Sequence, residues 1–190
     1  MNNDIKSLLS DKLIRKYALI ALILLCGLLT EFITLFGYGA LKIIRYLVLV
    51  AGLFVIAWID RKEHLIYNKH LLILLLIRLA LLVAEWILYP EFGMGMLISA
   101  FMGLLLGGGV FWLCYLVSRG GMGAGDVKLM AVVGFYIGNN IILPAMVVIV
   151  VTSAIYNGVK LLLKRTSMKE EIPFAPFVLI GTIITMALGF

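Results

Sequence analysis

Nearly the whole chain is a succession of long apolar runs, and that pattern decides the solvent in which it can fold. Candidate spans lie near residues 17–36, 42–59, 71–89, 94–117, 127–138, 141–163 and 173–190, bounded by polar or Gly-rich turns. A helix needs about 20 residues to cross roughly 30 Å of hydrocarbon, and six of these runs are adequate. The fifth is short, reaching roughly 18 Å at helical rise. Only 14% of the 190 residues are charged, where soluble domains carry about 25%. The chain therefore reads as an all-α membrane protein, a polytopic bundle of about seven transmembrane helices. Residues 1–16 read as a cytosolic N-terminal segment and residues 17–190 as a single transmembrane domain.

Basic residues orient the bundle. With a cytosolic N-terminus and seven crossings, all but Lys42, Arg45 and Arg78 of the 16 Lys and Arg fall inside, as the positive-inside rule requires. If the fifth segment failed to cross, the cluster from Lys160 to Lys169 would land outside. The expected topology is N-terminus in and C-terminus out, which puts Asp60 and Asp126 on the same, cytosolic, side. The net charge of +6 reflects the inside rule and contact with anionic lipid, and makes no case for nucleic acid.

Other signals are mostly negative. No small-residue cleavage site follows the basic start and first apolar stretch, so a signal peptide is not expected. Cys26 and Cys114 both lie inside apolar runs and read as buried structural thiols rather than a disulfide. His64 and His70 share a loop with Glu63, but histidines so placed are more often interfacial than ligands. No metal and no cofactor are expected.

Glycine is dense and uneven. Gly103, Gly107, Gly108 and Gly109 lie in the fourth span, where small residues let helices approach closely. The run from Gly120 to Gly125 is a loop directly before an acid. Repeated glycine there permits positive φ and close backbone approach, although a plain hinge would account for it equally well.

The acids tip that balance. Asp60 ends the second span in Trp58-Ile59-Asp60-Arg61, with Asn68 eight residues on. Asp126 opens the fifth span, with Lys128 two residues on. Singly, each reads as an interfacial charge paired with a neighbouring Lys or Arg. Two acids on one face, one closing Gly123-Ala124-Gly125-Asp126, point to paired acid–base chemistry.

Three motifs together resemble a known family. They are Asp60 followed by Asn68, Gly123-Ala124-Gly125-Asp126-Val127-Lys128-Leu129, and Ile172-Pro173-Phe174-Ala175-Pro176-Phe177. In this order and spacing, over roughly residues 42–190, they resemble the type IV prepilin peptidases, Gly-X-Gly-Asp intramembrane aspartyl proteases. The resemblance implies that Asp60 and Asp126 are the catalytic pair. It also implies a loop and support set of Gly123, Gly125, Lys128, Asn68 and Pro173. Its implied substrate is a membrane-embedded prepilin-like protein with a basic leader, cut at the cytosolic boundary of the cell inner (cytoplasmic) membrane. Two departures stand out: Ile66-Tyr67-Asn68 replaces the usual Ile-Pro-Asn, and Ala175 replaces a glycine. Roughly five residues join the first two spans, where longer members carry a cytosolic CxxC domain linked to N-methylation. The chain looks like a short, cleavage-only form.

Two nearby carboxylates cannot both ionise cheaply, so they share a proton and titrate as a pair. One then activates a water and the other protonates the scissile carbonyl; the assignment between Asp60 and Asp126 is left open. Arg78, roughly 10 Å into the third span at helical rise, is a candidate receiver for the Glu that such substrates carry at their fifth mature position. Otherwise it snorkels, or pairs with Glu31 or Glu85. A rival reading is a small proton-coupled membrane transporter, which usually shows internal repeats and midplane charges; this chain shows no repeat. A non-enzymatic assembly subunit is the third reading.

Overall fold

The computed structural model describes residues 39–118, 122–162 and 173–188. The chain divides into two compact units, residues 1–43 and 44–190. The expected cytosolic segment, the first span and Cys26 lie outside the described residues, and the helical bundle is that of the second unit. Among the described residues the chain forms six helices: α1 (Ala40–Glu63), α2 (Asn68–Leu88), α3 (Pro90–Val117), α4 (Ala124–Ile137), α5 (Asn139–Leu162) and α6 (Ala175–Ala187). Four of them, α1, α2, α3 and α5, are long and apolar enough to cross a membrane. The described count is thus six helices rather than about seven. Two of them, α4 and α6, are shorter than a full span.

Each break in the helices has a local cause. After α1, His64 takes a left-handed conformation (φ 52°), and Tyr67 is extended before α2 begins. Pro90 opens α3 at a position where its missing N–H costs no hydrogen bond. Gly138, at φ 81°, ends α4 and turns directly into α5. A Cβ there would also lie 2.5 Å from Ser99 Oγ, whose hydroxyl donates to Asn139 Oδ1 at 2.8 Å.

Short α4 is the centre of the bundle. It packs on α2, α3, α5 and α6, and eight of its last nine residues, Leu129 to Ile137, are buried. A helix apolar on every side belongs in a core. Its approach to α3 is backbone on backbone. A Cβ on Gly103 would meet Gly134 O at 2.2 Å, one on Gly134 would meet Gly103 O at 2.0 Å, and one on Gly107 would meet Met130 O at 2.3 Å. The expected glycine packing in the fourth span is realised at Gly103 and Gly107, whereas a Cβ at Gly109 meets nothing within 4 Å. Cys114 departs from its expected place: it is exposed on α3. An apolar run in a membrane helix has a lipid face as well as a core face, and Cys114 lies on the former.

Polar contacts lock α4 to α2. Tyr136 donates from its hydroxyl to Leu74 O at 2.7 Å, and Arg78 Nε donates to Phe135 O at 3.1 Å. Arg78 also pairs with Glu85 Oε2 at 2.9 Å, while Arg45 of α1 takes the other oxygen, Oε1, at 3.0 Å. Arg78 is 1% exposed and Glu85 3%. Glu85 is therefore the shared counter-charge of two guanidinium groups among apolar side chains.

Three outcomes follow. Gly134→Ala should lower stability in detergent by about 1–3 kcal/mol, because neither backbone can yield cheaply. Gly109→Ala should be neutral or stabilising by up to about 1 kcal/mol; thermal unfolding of both variants compares the two. Glu85→Leu should cost about 3–5 kcal/mol by leaving the buried Arg78 and the half-buried Arg45 without their partner, read from the same unfolding curves.

Candidate active site

Asp60 lies in the last turn of α1 and is 5% exposed. Its Oδ2 accepts the backbone N–H of Ala175 at 2.9 Å. Ala175 is the first residue of α6, so the carboxylate meets the positive end of a helix dipole. The Pro-Phe-Ala-Pro segment makes that contact possible. Pro176, at the second helical position, has no N–H to satisfy, and Phe177 and Val178 donate to Phe174 O. Of the orphan donors at this helix start, the Ala175 N–H is the one Asp60 takes. Phe174 packs its ring on Phe111 of α3, with centroids 5.5 Å apart. Because Ala175 serves through its backbone, alanine in place of glycine leaves this hydrogen bond intact.

Asp126 lies in the first turn of α4. Its Oδ2 accepts the Gly123 N–H at 3.2 Å, and its own N–H donates to Gly123 O at 3.1 Å. The two glycines have separate steric reasons. A Cβ on Gly123 would sit 3.3 Å from Asp126 Oδ2, and one on Gly125 would press on Ile66 Cβ at 3.0 Å. Gly125 thus lets the start of α4 lie against the loop that follows Asp60. In that loop Tyr67 adopts φ −76° and ψ 128°, a conformation proline also takes. The Ile66-Tyr67-Asn68 departure therefore keeps the backbone a proline would impose.

Lys128 Nζ donates to Asn68 Oδ1 at 3.0 Å, joining α4 to the start of α2. Asp60, Asn68, Gly123, Gly125, Asp126, Lys128 and Pro173 thus all belong to the end of the bundle where α1 meets α2, α4 begins and α6 begins. Arg78 is not with them. It is held in the core by Glu85 and Phe135 O, the pairing with Glu85 being one of its two expected alternatives.

Neither aspartate has an ion-pair partner among the described residues; the ion pairs there are those of Glu85. Neutralisation by an adjacent Lys or Arg does not account for them. Asp126 has its pKa pushed up to about 6, first by burial and also by the charge of Asp60, against the lowering effect of the Gly123 N–H. Asp60 is thus near enough for its charge to be felt at Asp126. Near neutral pH such a pair can offer one ionised and one protonated carboxyl. Sequence reasoning singled out the motif around Ala175 without showing that its backbone N–H is the partner of Asp60. It missed Ile66 as the surface Gly125 needs. Both are contacts between distant parts of the chain.

Comparison with known proteins supplies a lineage. A sequence model described as the type IV leader peptidase family matches residues 47–189. The chain is 29% identical over 181 residues to a prepilin leader peptidase/N-methyltransferase of Stutzerimonas stutzeri, covering 92% of this chain and 59% of that one. It is 34% identical over 73 residues to a protein of the same description from Bacillus subtilis (strain 168), covering 38% of this chain and 29% of that one. The chain thus spans less than two thirds of the length of these relatives. No solved structure matches it. With the match running from α1 through α6 and including both aspartates, this chain belongs to the type IV leader peptidase family.

Proposed function

We propose that this protein is an intramembrane aspartyl endopeptidase that removes the leader of prepilin-like or pseudopilin substrates at the cytosolic membrane boundary. The observation that carries this reading is the pair itself. Asp60 and Asp126, 66 positions apart in the chain, sit at one end of the bundle without ion-pair partners among the described residues. The charge of Asp60 bears on Asp126. Family membership favours a peptidase over the transporter alternative.

The surroundings support a division of labour. Asp60 faces the start of α6, where an N–H at 2.9 Å and the helix dipole offset part of the cost of burying a carboxylate anion. Asp126 holds a longer hydrogen bond, 3.2 Å, and has its pKa pushed up to about 6, which favours its protonated form. In the proposed reaction Asp60 takes a proton from water as the water oxygen bonds to the scissile carbonyl carbon. Asp126 gives its proton to the carbonyl oxygen, forming a gem-diol. The C–N bond then breaks as Asp60 passes its proton to the leaving nitrogen, and Asp126 recovers one from a hydroxyl. Gly123 and Gly125 bring α4 close to the Asp60 loop, Lys128 and Asn68 hold its first turn, and Pro173 leads into the start of α6. Arg78 is left out, because a substrate Glu would have to displace Glu85 from it.

The same reading places the protein as a multi-pass chain of the cell inner membrane. The N-terminus is cytosolic and the C-terminus outside. The alternation of the six helices supports it, since α1, α3 and α5 end where α2, α4 and α6 begin. Arg61, Lys62, Lys69 and Lys128 lie toward that end, as a cytosolic face requires.

Asp60→Asn and Asp126→Asn should each lower cleavage of a prepilin-like peptide about 10²–10⁴-fold while the chain stays folded. Wild-type turnover by either variant would remove the two-carboxylate mechanism. Activity should need a protonated Asp126, so the rate should fall as pH rises through about 6. Stability should show the same group by linkage. Its folded pKa lies above its ordinary 3.8, so its favourable contribution is full below about pH 4 and lost as pH rises through about 6. Asp126→Asn should therefore melt higher than wild type at pH 8, and that margin should vanish near pH 4. A variant that is inactive yet more stable at pH 8 is the expected signature.

A further inference from the structure

A groove of about 470 Å³ lies between α2, α3 and α4, walled by Leu71, Leu72, Leu75, Leu104, Ala131 and Val132. At one end it is rimmed by Asn68, Lys69 and Lys128, with no carboxylate among its lining residues. It does not belong to the aspartate pair. Lys128, Ala131 and Val132 follow the i, i+3, i+4 spacing of one helix face. Lys128 stands two residues, roughly 200° of turn, from Asp126. The groove and Asp126 therefore occupy opposite faces of α4, and a segment bound in the groove is not presented to the carboxylates.

Depth and charge identify the occupant. From Asn68 to Leu75 the groove descends roughly 10 Å at helical rise, well inside one leaflet of a roughly 30 Å hydrocarbon core. Asn68 is the first residue of α2, a helix long and apolar enough to span, so with α2 across a bilayer the rim falls at the span's end, where an adjacent lipid would place its headgroup. Both cations there have capacity to spare. Lys128 uses one of its three donors on Asn68 Oδ1, and Lys69 lies over the Tyr67 ring, 5.2 Å from its centroid. Two ammonium groups above an apolar slot fit an anion carrying an acyl chain. We propose that this groove is a binding site for one anionic phospholipid, its phosphate between Lys69 and Lys128 and an acyl chain along α2 and α4. A lipid seated there would brace the first turn of α4, which carries Asp126, from the side opposite the chemistry. The inference needs only that the bundle sits in a membrane and does not depend on the peptidase reading.

The test uses the purified full chain in detergent and dioleoylphosphatidylglycerol, with dioleoylphosphatidylcholine as the neutral control. Retention is followed by native mass spectrometry and by the shift in melting temperature. Wild type should retain phosphatidylglycerol in preference to phosphatidylcholine and melt higher with it. Lys69→Gln should weaken the phosphatidylglycerol interaction about fivefold, as expected for loss of one interfacial cation, and leave phosphatidylcholine unaffected. Leu75→Trp, which fills the slot, should abolish the preference while the protein still melts cooperatively. Equal retention of the two lipids by wild type would overturn the proposal, as would an undiminished preference in both variants. So would a transmembrane peptide that cross-links to Leu72→Cys and is not displaced by phosphatidylglycerol, since the groove would then hold a protein helix.

Discussion

The bundle depends on the crossing of α3 and α4 at Gly103 and Gly134, where each glycine faces the carbonyl of the other and neither has room for a Cβ. Lipid tails are as apolar as leucine, so helices in a bilayer gain little from hiding hydrophobic surface from one another. Close packing and polar contacts must hold them together. The glycine crossing brings in α4, a helix too short to span by itself and buried around most of its circumference. Once placed, α4 becomes the post to which the rest is fastened. Arg78 and Tyr136 join its far end to α2, Lys128 joins its near end to Asn68, and Gly125 sets its first turn against Ile66. The position of Asp126 is a consequence of all of them.

Two treatments of buried charge separate scaffold from site. Arg45, Glu85 and Arg78 form a chain of ion pairs in which the acid serves both guanidinium groups. Such a network is costly to assemble in a low-dielectric interior and more costly to break, and it fixes which face of α2 meets α1 and α4. The aspartates are handled differently. Asp60 and Asp126 receive backbone N–H groups at the starts of α6 and α4 and no Lys or Arg ion pair among the described residues. A carboxylate held by peptide dipoles keeps the capacity to exchange a proton. One locked against a guanidinium is committed to its charge.

The two acids are also reached through different kinds of loop. Asp60 depends on a helix start 115 positions away, and Asp126 on a glycine three residues before it. This asymmetry gives the pair unequal environments although both groups are aspartates. It is also why small departures from the family pattern are tolerated here. Tyr67 supplies a proline-like backbone and Ala175 supplies an N–H, so each position meets its requirement without the usual side chain.

The sequence by itself determined that this is a helical membrane protein, where most helices start and stop, and which two acids to watch. Those features rest on local information: apolar run length, Pro and Gly at helix ends, and an expensive carboxylate beside a glycine turn. It also marked Gly103 and Gly107 as packing positions, though not that Gly134 and Met130 of α4 would be their respective partners. Periodicity could not say that the exposed Cys114 belongs to a lipid face, because both faces of such a helix are apolar. Nor could it choose among Glu31, Glu85 and a substrate carboxylate for Arg78. Those questions, with the pairing of Asp60 to the start of α6 and of Lys128 to Asn68, were decided by tertiary structure. Each depends on the rotation and crossing of helices far apart in the chain, and these follow from which surfaces can approach most closely.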